Sequence, residues 1–190
     1  MPDSASIFDQ AIASHLSVIQ NLQSLRPVLE QIGATMSGAI RSGKKILWCG
    51  NGGSAADSQH LAAELVGRFL KERRGLPSIA LSTNTSILTA IGNDYGYDMV
   101  FRRQVEALCV AGDVVVGIST SGNSKNVLYA LGSAREIGAH TVAFTGGDGG
   151  SMARIAAVTL LIPSRETPRI QEAHILCGHM LCDYIEQNLN

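Results

Sequence analysis

Charged side chains are scarce, making up 16% of the 190 residues against 45% hydrophobic. So little polar surface implies a sheet covered by helices on both faces, or helices that bury a second face against another subunit; both are expected. Neither sign of charge dominates, since the formal net charge is −1, and such a chain carries no electrostatic footprint for nucleic acid or an anionic membrane surface. The short basic cluster Lys71, Arg73 and Arg74 is interrupted by Glu72 and reads as a solvated loop. Long hydrophobic runs are missing as well: none approaches the ~20 residues that cross a bilayer. The opening MPDSASIFDQ has no basic segment leading into an apolar run, so no secretory signal is read. Cysteine pairs are also lacking. Cys49, Cys109, Cys177 and Cys182 form neither a CxxC nor a zinc-ribbon spacing, which is the pattern of buried free thiols in a reducing, cytoplasmic compartment.

What is present is an alternation of strands and helices. Residues 1–42 read as helical, with apolar Ile7, Ala11, Leu22, Leu25, Leu29 and Ile32 at three- and four-residue steps and Pro27 as a break between two helices; contact with another subunit is expected here. From 43 to 190 an α/β core is predicted, with strands at 45–49, 78–82, 113–118, 140–145 and 157–162. The intervening helices are expected at 54–69, 85–91, 97–109, 124–137 and 168–188. Strands joined by helical crossovers imply a mainly parallel five-stranded sheet in a three-layer sandwich, with ligands at the carboxyl ends of the strands. No linker, repeat or low-complexity stretch divides the chain, so one domain spanning 1–190 is expected.

Two of those strand ends carry chemistry. STSGNS at 119–124 sets four hydroxyls, Ser119, Thr120, Ser121 and Ser124, and one glycine between a buried strand and a helix start. Unpaired N–H groups and the positive end of the helix dipole suit a phosphate dianion there, and Gly122 permits close approach; a serine-rich cap is the plainer alternative. The second loop, GNGGSA at 50–55, matches the permissive dinucleotide pattern GxGxxA, but the next strand ends in LSTNT without the acid that would hold a ribose. No nucleotide cofactor is therefore expected, and the loop reads as a contact to a sugar or phosphate. A Walker loop and a GxSxG elbow are both absent.

Groups that could move a proton lie on two helices. His60 and Glu64 are four apart and share a face, though such a pair is often only a surface contact. Gln171, Glu172, His174 and His179 are the polar residues in an otherwise apolar stretch of the last helix. His174 and His179 each also read as satisfied core or interface histidines. A carboxylate with a histidine meets the needs of aldose–ketose interconversion through an enediol, and two histidines, a carboxylate and a glutamine could also hold zinc.

CGNGGSAAD (49–57), HLAAELVGRF (60–69), GND (92–94), GDVVVGISTSGNS (112–124), TGGDGG (145–150) and RIQEAHILCGH (169–179) occur in one order along the chain. With these motifs it resembles the sugar isomerase (SIS) domain family, and within it the bacterial phosphoheptose isomerases. The resemblance implies isomerisation of sedoheptulose 7-phosphate to D-glycero-D-manno-heptose 7-phosphate by a homotetramer with shared active sites, feeding ADP-heptose and surface glycans. It implies Glu64 and His179 as the acid–base pair and one zinc per subunit on His60, Glu64, Gln171 and His179. It further implies Ser119, Thr120, Ser121 and Ser124 as the phosphate cradle. Contacts to the sugar fall to Asn51, Gly52, Gly53, Ser54, Asn93 and Asp94, with Glu64 and Gln171 also touching substrate. Some isomerase members carry an acid just before Arg-Ile-Gln-Glu, where this chain has Pro168, so that acid's role does not transfer. The alternative within the resemblance is a non-catalytic tetramer that binds a replication initiator; that relative lacks the Glu and His matched here by Glu64 and His179.

Overall fold

A computed structural model describes residues 4–189. Five strands, β1 (Ile46–Gly50), β2 (Ser78–Ala80), β3 (Val114–Ile118), β4 (His140–Gly146) and β5 (Val158–Ile162), form one sheet in the order β2-β1-β3-β4-β5. Every pairing is parallel. The α/β class and the five-stranded parallel sheet expected from the sequence are observed.

Both faces of the sheet are covered, which is why its strands read as unbroken apolar runs rather than alternating ones. Ile46, Trp48, Val114, Val116, Ile118 and Phe144 pack with Ile32, Met36, Leu61, Leu65, Cys177 and Leu181. These come from α2 (Arg26–Arg41), α3 (Gly53–Val66) and α8 (Thr167–Gln187). Leu47, Cys49, Val115 and Ala143, one residue out of step, point the other way and pack with Phe101, Val105, Val127 and Leu131. Here the cover is α5 (Arg102–Leu108) and α6 (Lys125–Ile137). A period of two along each strand thus divides the core into two layers. The four cysteines are free and buried within these layers.

α1 (Ser4–Asn21) precedes a 3-10 turn, Leu22–Leu25, and α2 then carries Pro27 in its first turn. Proline suits that position because no intrahelical N–H is lost, so the break falls before Pro27 rather than at it. α1 leaves Ile7, Phe8, Ile12 and Leu16 exposed.

Other boundaries move. α3 stops at Val66, not 69, where Gly67 leaves the helical conformation with ψ −108. The helix expected over 97–109 is a 3-10 turn, Tyr97–Met99, followed by α5. α4 runs Thr85–Tyr95, four residues past the expected end. A one-turn α7 (Met152–Ile155), too short to leave a periodicity, was not expected. The basic cluster is not uniformly solvated either. Arg73 folds inward, its side chain 14% exposed beside the fully enclosed Glu186 carboxylate.

Candidate functional site

Strand order reverses between β1 and β3, and ligands of such sheets sit at the carboxyl ends flanking that switch. The two loops singled out in the sequence, 51–52 after β1 and 119–124 after β3, meet there. Asn51 and Asn126 exchange two amide hydrogen bonds of 2.9 Å, tying the glycine loop to the first turn of α6. Gly52 has φ +55 with open space where a Cβ would stand, so only its backbone freedom calls for glycine. Gly53 differs: a Cβ there would lie 2.5 Å from Nε2 of Gln171, whose amide therefore forms a wall of the glycine loop. Ser54 is buried behind that loop in the first turn of α3.

The hydroxyl loop is pre-assembled. Ser119 Oγ lies 2.9 Å from Ser124 Oγ and 3.4 Å from Ser121 Oγ. Ser124 occupies the N-cap position of α6 without its side chain capping the helix, so the plain capping reading does not account for that hydroxyl. Thr120 and Ser121 face a cavity of about 300 Å³, lined also by Gly146, Gly147, Asp148, Arg165 and Thr167. None of these last five is among the residues expected from the sequence, although Gly146, Gly147 and Asp148 belong to TGGDGG at a strand's carboxyl end. Gly122 has φ +65, and a Cβ on it would collide with the Gly149 carbonyl. The close approach it permits is thus to the neighbouring loop, where Met152 N–H donates to its carbonyl at 2.9 Å.

The titratable groups form a second cluster on α3 and α8. A Cβ on Gly178 would lie 2.5 Å from Cδ2 of Leu61, so this glycine lets the two helices touch beside the adjoining residues His60 and His179. His60 Nε2 lies 3.0 Å from Glu64 Oε1 and 3.1 Å from His179 Nε2. One donor atom from each of the three lies within 4.8 Å of the other two; His60 is exposed, the other two half-buried. The ring of Phe69 stacks on His179 with centroids 5.4 Å apart. A single imidazole nitrogen has one in-plane proton or one lone pair, so His60 Nε2 cannot satisfy both neighbours by hydrogen bonding. Three donor atoms this close together could instead hold a cation. Tetrahedral zinc at 2.0–2.1 Å from each ligand separates the ligands by about 3.3 Å.

Asp57, one turn before His60, bears on the same region and was given no role in the sequence reading. Its Oδ2 is buried without a partner. Burial pushes its carboxyl up to about 6, against a smaller opposing pull from His60. His174 is a core histidine, fully enclosed, with Nε2 3.3 Å from the Thr145 carbonyl and burial pushing its pKa down to about 4. Asn93 donates to Asp94 Oδ1 at 2.8 Å on the exposed last turn of α4. Most of the predicted residues therefore gather into two groups within one chain, with Asn93 and Asp94 a separate exposed pair, and His60, Glu64 and His179 do not line the hydroxyl-loop cavity.

A family model described as SIS domain matches residues 8–146. This chain belongs to the SIS domain family. The matched span of the SIS domain holds both loops and α3 but ends before α8, where His179 and Gln171 lie. Relatives cover that helix too. Phosphoheptose isomerase of Aliarcobacter butzleri is 52% identical over 186 residues, 98% of each chain. That of Aquifex aeolicus is 60% identical over 156 residues, 82% of each. Among solved structures, phosphoheptose isomerase from Neisseria gonorrhoeae superposes with a TM-score of 0.92 at 45% identity, covering 97% of this chain and 100% of that one. The enzyme from Francisella tularensis gives 0.94 at 35%, covering 97% and 99%.

Proposed function

We propose that this SIS domain, spanning 1–190, is an aldose–ketose isomerase that interconverts sedoheptulose 7-phosphate and D-glycero-D-manno-heptose 7-phosphate. The relatives named phosphoheptose isomerase support the substrate class. The observation that carries the chemistry is the meeting of Glu64 and His179, 115 positions apart in the sequence, within one donor cluster. The replication-initiator scaffold needs neither residue, so their convergence favours the isomerase.

In the proposed reaction the 7-phosphate docks on Ser119, Thr120, Ser121 and Ser124 at the N-terminus of α6, where unpaired N–H groups face the dianion. Glu64 takes the proton from one of C1 and C2 and returns it to the other by way of an enediol. His179 moves the matching proton between the two oxygens, so the carbonyl changes place with no net gain or loss of protons. Asn51, Gly52, Gly53, Ser54, Asn93, Asp94 and Gln171 are proposed to hold the sugar chain. Because the hydroxyl loop and the acid–base cluster are separate within one chain, we place the shared cavity between subunits of a homotetramer. The exposed apolar residues of α1 suit such contacts.

His60, Glu64 and His179, with Gln171 as the proposed fourth, have the donor chemistry of a zinc site. Zinc bound there would supply Lewis-acid polarisation of the substrate oxygens. No helix among the described residues is long and apolar enough to cross a membrane, and a cytoplasmic place is proposed with the substrate. Turnover of sedoheptulose 7-phosphate, measured with and without a chelator, tests the reading. Glu64→Gln and His179→Asn should each lower kcat by at least about 100-fold, the usual worth of general acid–base catalysis. Wild-type turnover in either variant rejects that residue's role, and no turnover by the folded wild type rejects the function.

A further inference from the structure

The segment that follows α3 is tied down by one carboxylate. Glu186 lies on α8 seven residues beyond His179, a spacing that keeps both on one face of the helix. Its side chain is fully enclosed, and it accepts the backbone N–H groups of Phe69, Leu70 and Lys71, each at 2.8 Å. Arg73 Nε sits 3.0 Å from Oε1, off the line of its N–H, so that contact is ionic. The same guanidinium donates to the carbonyls of Glu64, Leu65 and Gly67 at 2.8–2.9 Å, closing the end of α3. Burial pushes the Glu186 carboxyl up, but the three N–H groups and Arg73 outweigh it and hold the group below the ordinary carboxylate range. A charge so enclosed costs several kcal/mol unless fully paired. Hydrophobic packing could close the same loop without that cost, so the pairing invites an account beyond cohesion.

That account lies in where the clamp delivers its residues. Phe69, whose N–H is the first held, stacks on the His179 imidazole at 5.4 Å and 29°. Glu64, whose carbonyl Arg73 holds, sits one turn after His60. We propose that Glu186 is a positioning residue. It folds the segment after α3 back so that the Phe69 ring fixes the aim of the His179 imidazole toward His60 and Glu64. The inference rests on the zinc and proton role given above to these three residues.

The test uses the full chain with Glu186→Gln, which keeps shape but cannot accept all the N–H groups, and with Phe69→Leu, which keeps the anchor and removes the ring face. Imidazole resonances of the metal-free protein are read by histidine-selective NMR, with exposed His140 as the control. Glu186→Gln should displace the His179 signals and leave His140 unchanged. Zinc affinity, measured by competition with a chromophoric chelator, should fall 10- to 100-fold in both variants, the range found when partners of metal ligands are removed. Phe69→Tyr should restore it to within about threefold. A Glu186→Gln protein that melts earlier but keeps the His179 signals and the zinc affinity would reduce the clamp to a structural tie and overturn the proposal. If Glu186→Gln does not fold, Phe69→Leu decides alone, and unchanged zinc affinity in it overturns the proposal. A wild type that neither binds zinc nor turns over heptose phosphate would reject the function above, while the His179 resonances would still decide the clamp.

Discussion

His60 Nε2 and His179 Nε2 lie 3.1 Å apart, on helices separated by most of the chain. Two imidazole nitrogens at that distance either share one proton or share a cation, and with the Glu64 carboxylate 3.0 Å from His60 Nε2 they make up the proposed zinc site.

Zinc should therefore stabilise the folded protein. At a hundredfold excess over its dissociation constant the gain is about 2.7 kcal/mol, which for a domain of this size raises Tm by roughly 5–10 °C. His60→Ala should abolish most of that rise while leaving the metal-free Tm within a few degrees. Equal zinc responses in a thermal melt would remove His60 from the ligand set.

Loss of a hydroxyl from the proposed phosphate cradle should weaken substrate binding more than it slows chemistry. A hydrogen bond to a charged group is worth about 1.5–3 kcal/mol, so Ser124→Ala should raise KM about 10- to 100-fold with kcat much less affected. Steady-state kinetics separates the two, and an unchanged KM would move the phosphate elsewhere.

Asp57 should make the metal-free protein less stable as pH rises. Its folded pKa, raised to about 6 by burial, exceeds the ordinary value of 3.8. The native state therefore holds the extra proton between those values, and this contribution is lost on passing upward through pH 6. Asp57→Asn should flatten that part of the profile and melt higher than wild type at pH 8. Urea unfolding in chelator at pH 4, 6 and 8 reads the slope; a parallel pair of profiles would mean that Asp57 is already solvated or paired.

His174 has the opposite sign. Its pKa falls from 6.5 to about 4 through burial, so the unfolded chain binds the proton first, and stability present above pH 6.5 is lost as pH drops toward 4. The full span corresponds to roughly 3 kcal/mol. His174→Gln, which keeps a donor for the Thr145 carbonyl, should lose less stability between pH 7 and 4.5 than wild type does.

Local patterns carried the elements, because strand and helix periodicities are short-range properties. The runs at 46–50 and 114–118 are buried on both faces and so read as continuous apolar stretches. Boundaries failed where a long-range contact decides them. α3 ends at Val66 because Glu186, far along the chain, captures the N–H groups that follow. Arg73 looked like part of a solvated cluster for the same reason: its partner is 113 positions away.

At the candidate site, the residue types and loop placement were legible from the sequence alone. Hydroxyls before a helix start, glycines after β1 and a His–Glu pair at helical spacing each express a local requirement. The meeting of His60 with His179 is tertiary. It depends on Gly178 having no side chain, so that α8 can lie against Leu61 of α3. The orphaned Asp57 oxygen and the cavity walls Arg165 and Thr167 appear only after packing. By itself the sequence determined which groups are available and which helix or loop bears them, because backbone geometry fixes spacing over a few residues. Which of those groups face one another, and which lose water, was decided only when the sheet and its two helical layers closed, since contact and desolvation belong to the packed chain.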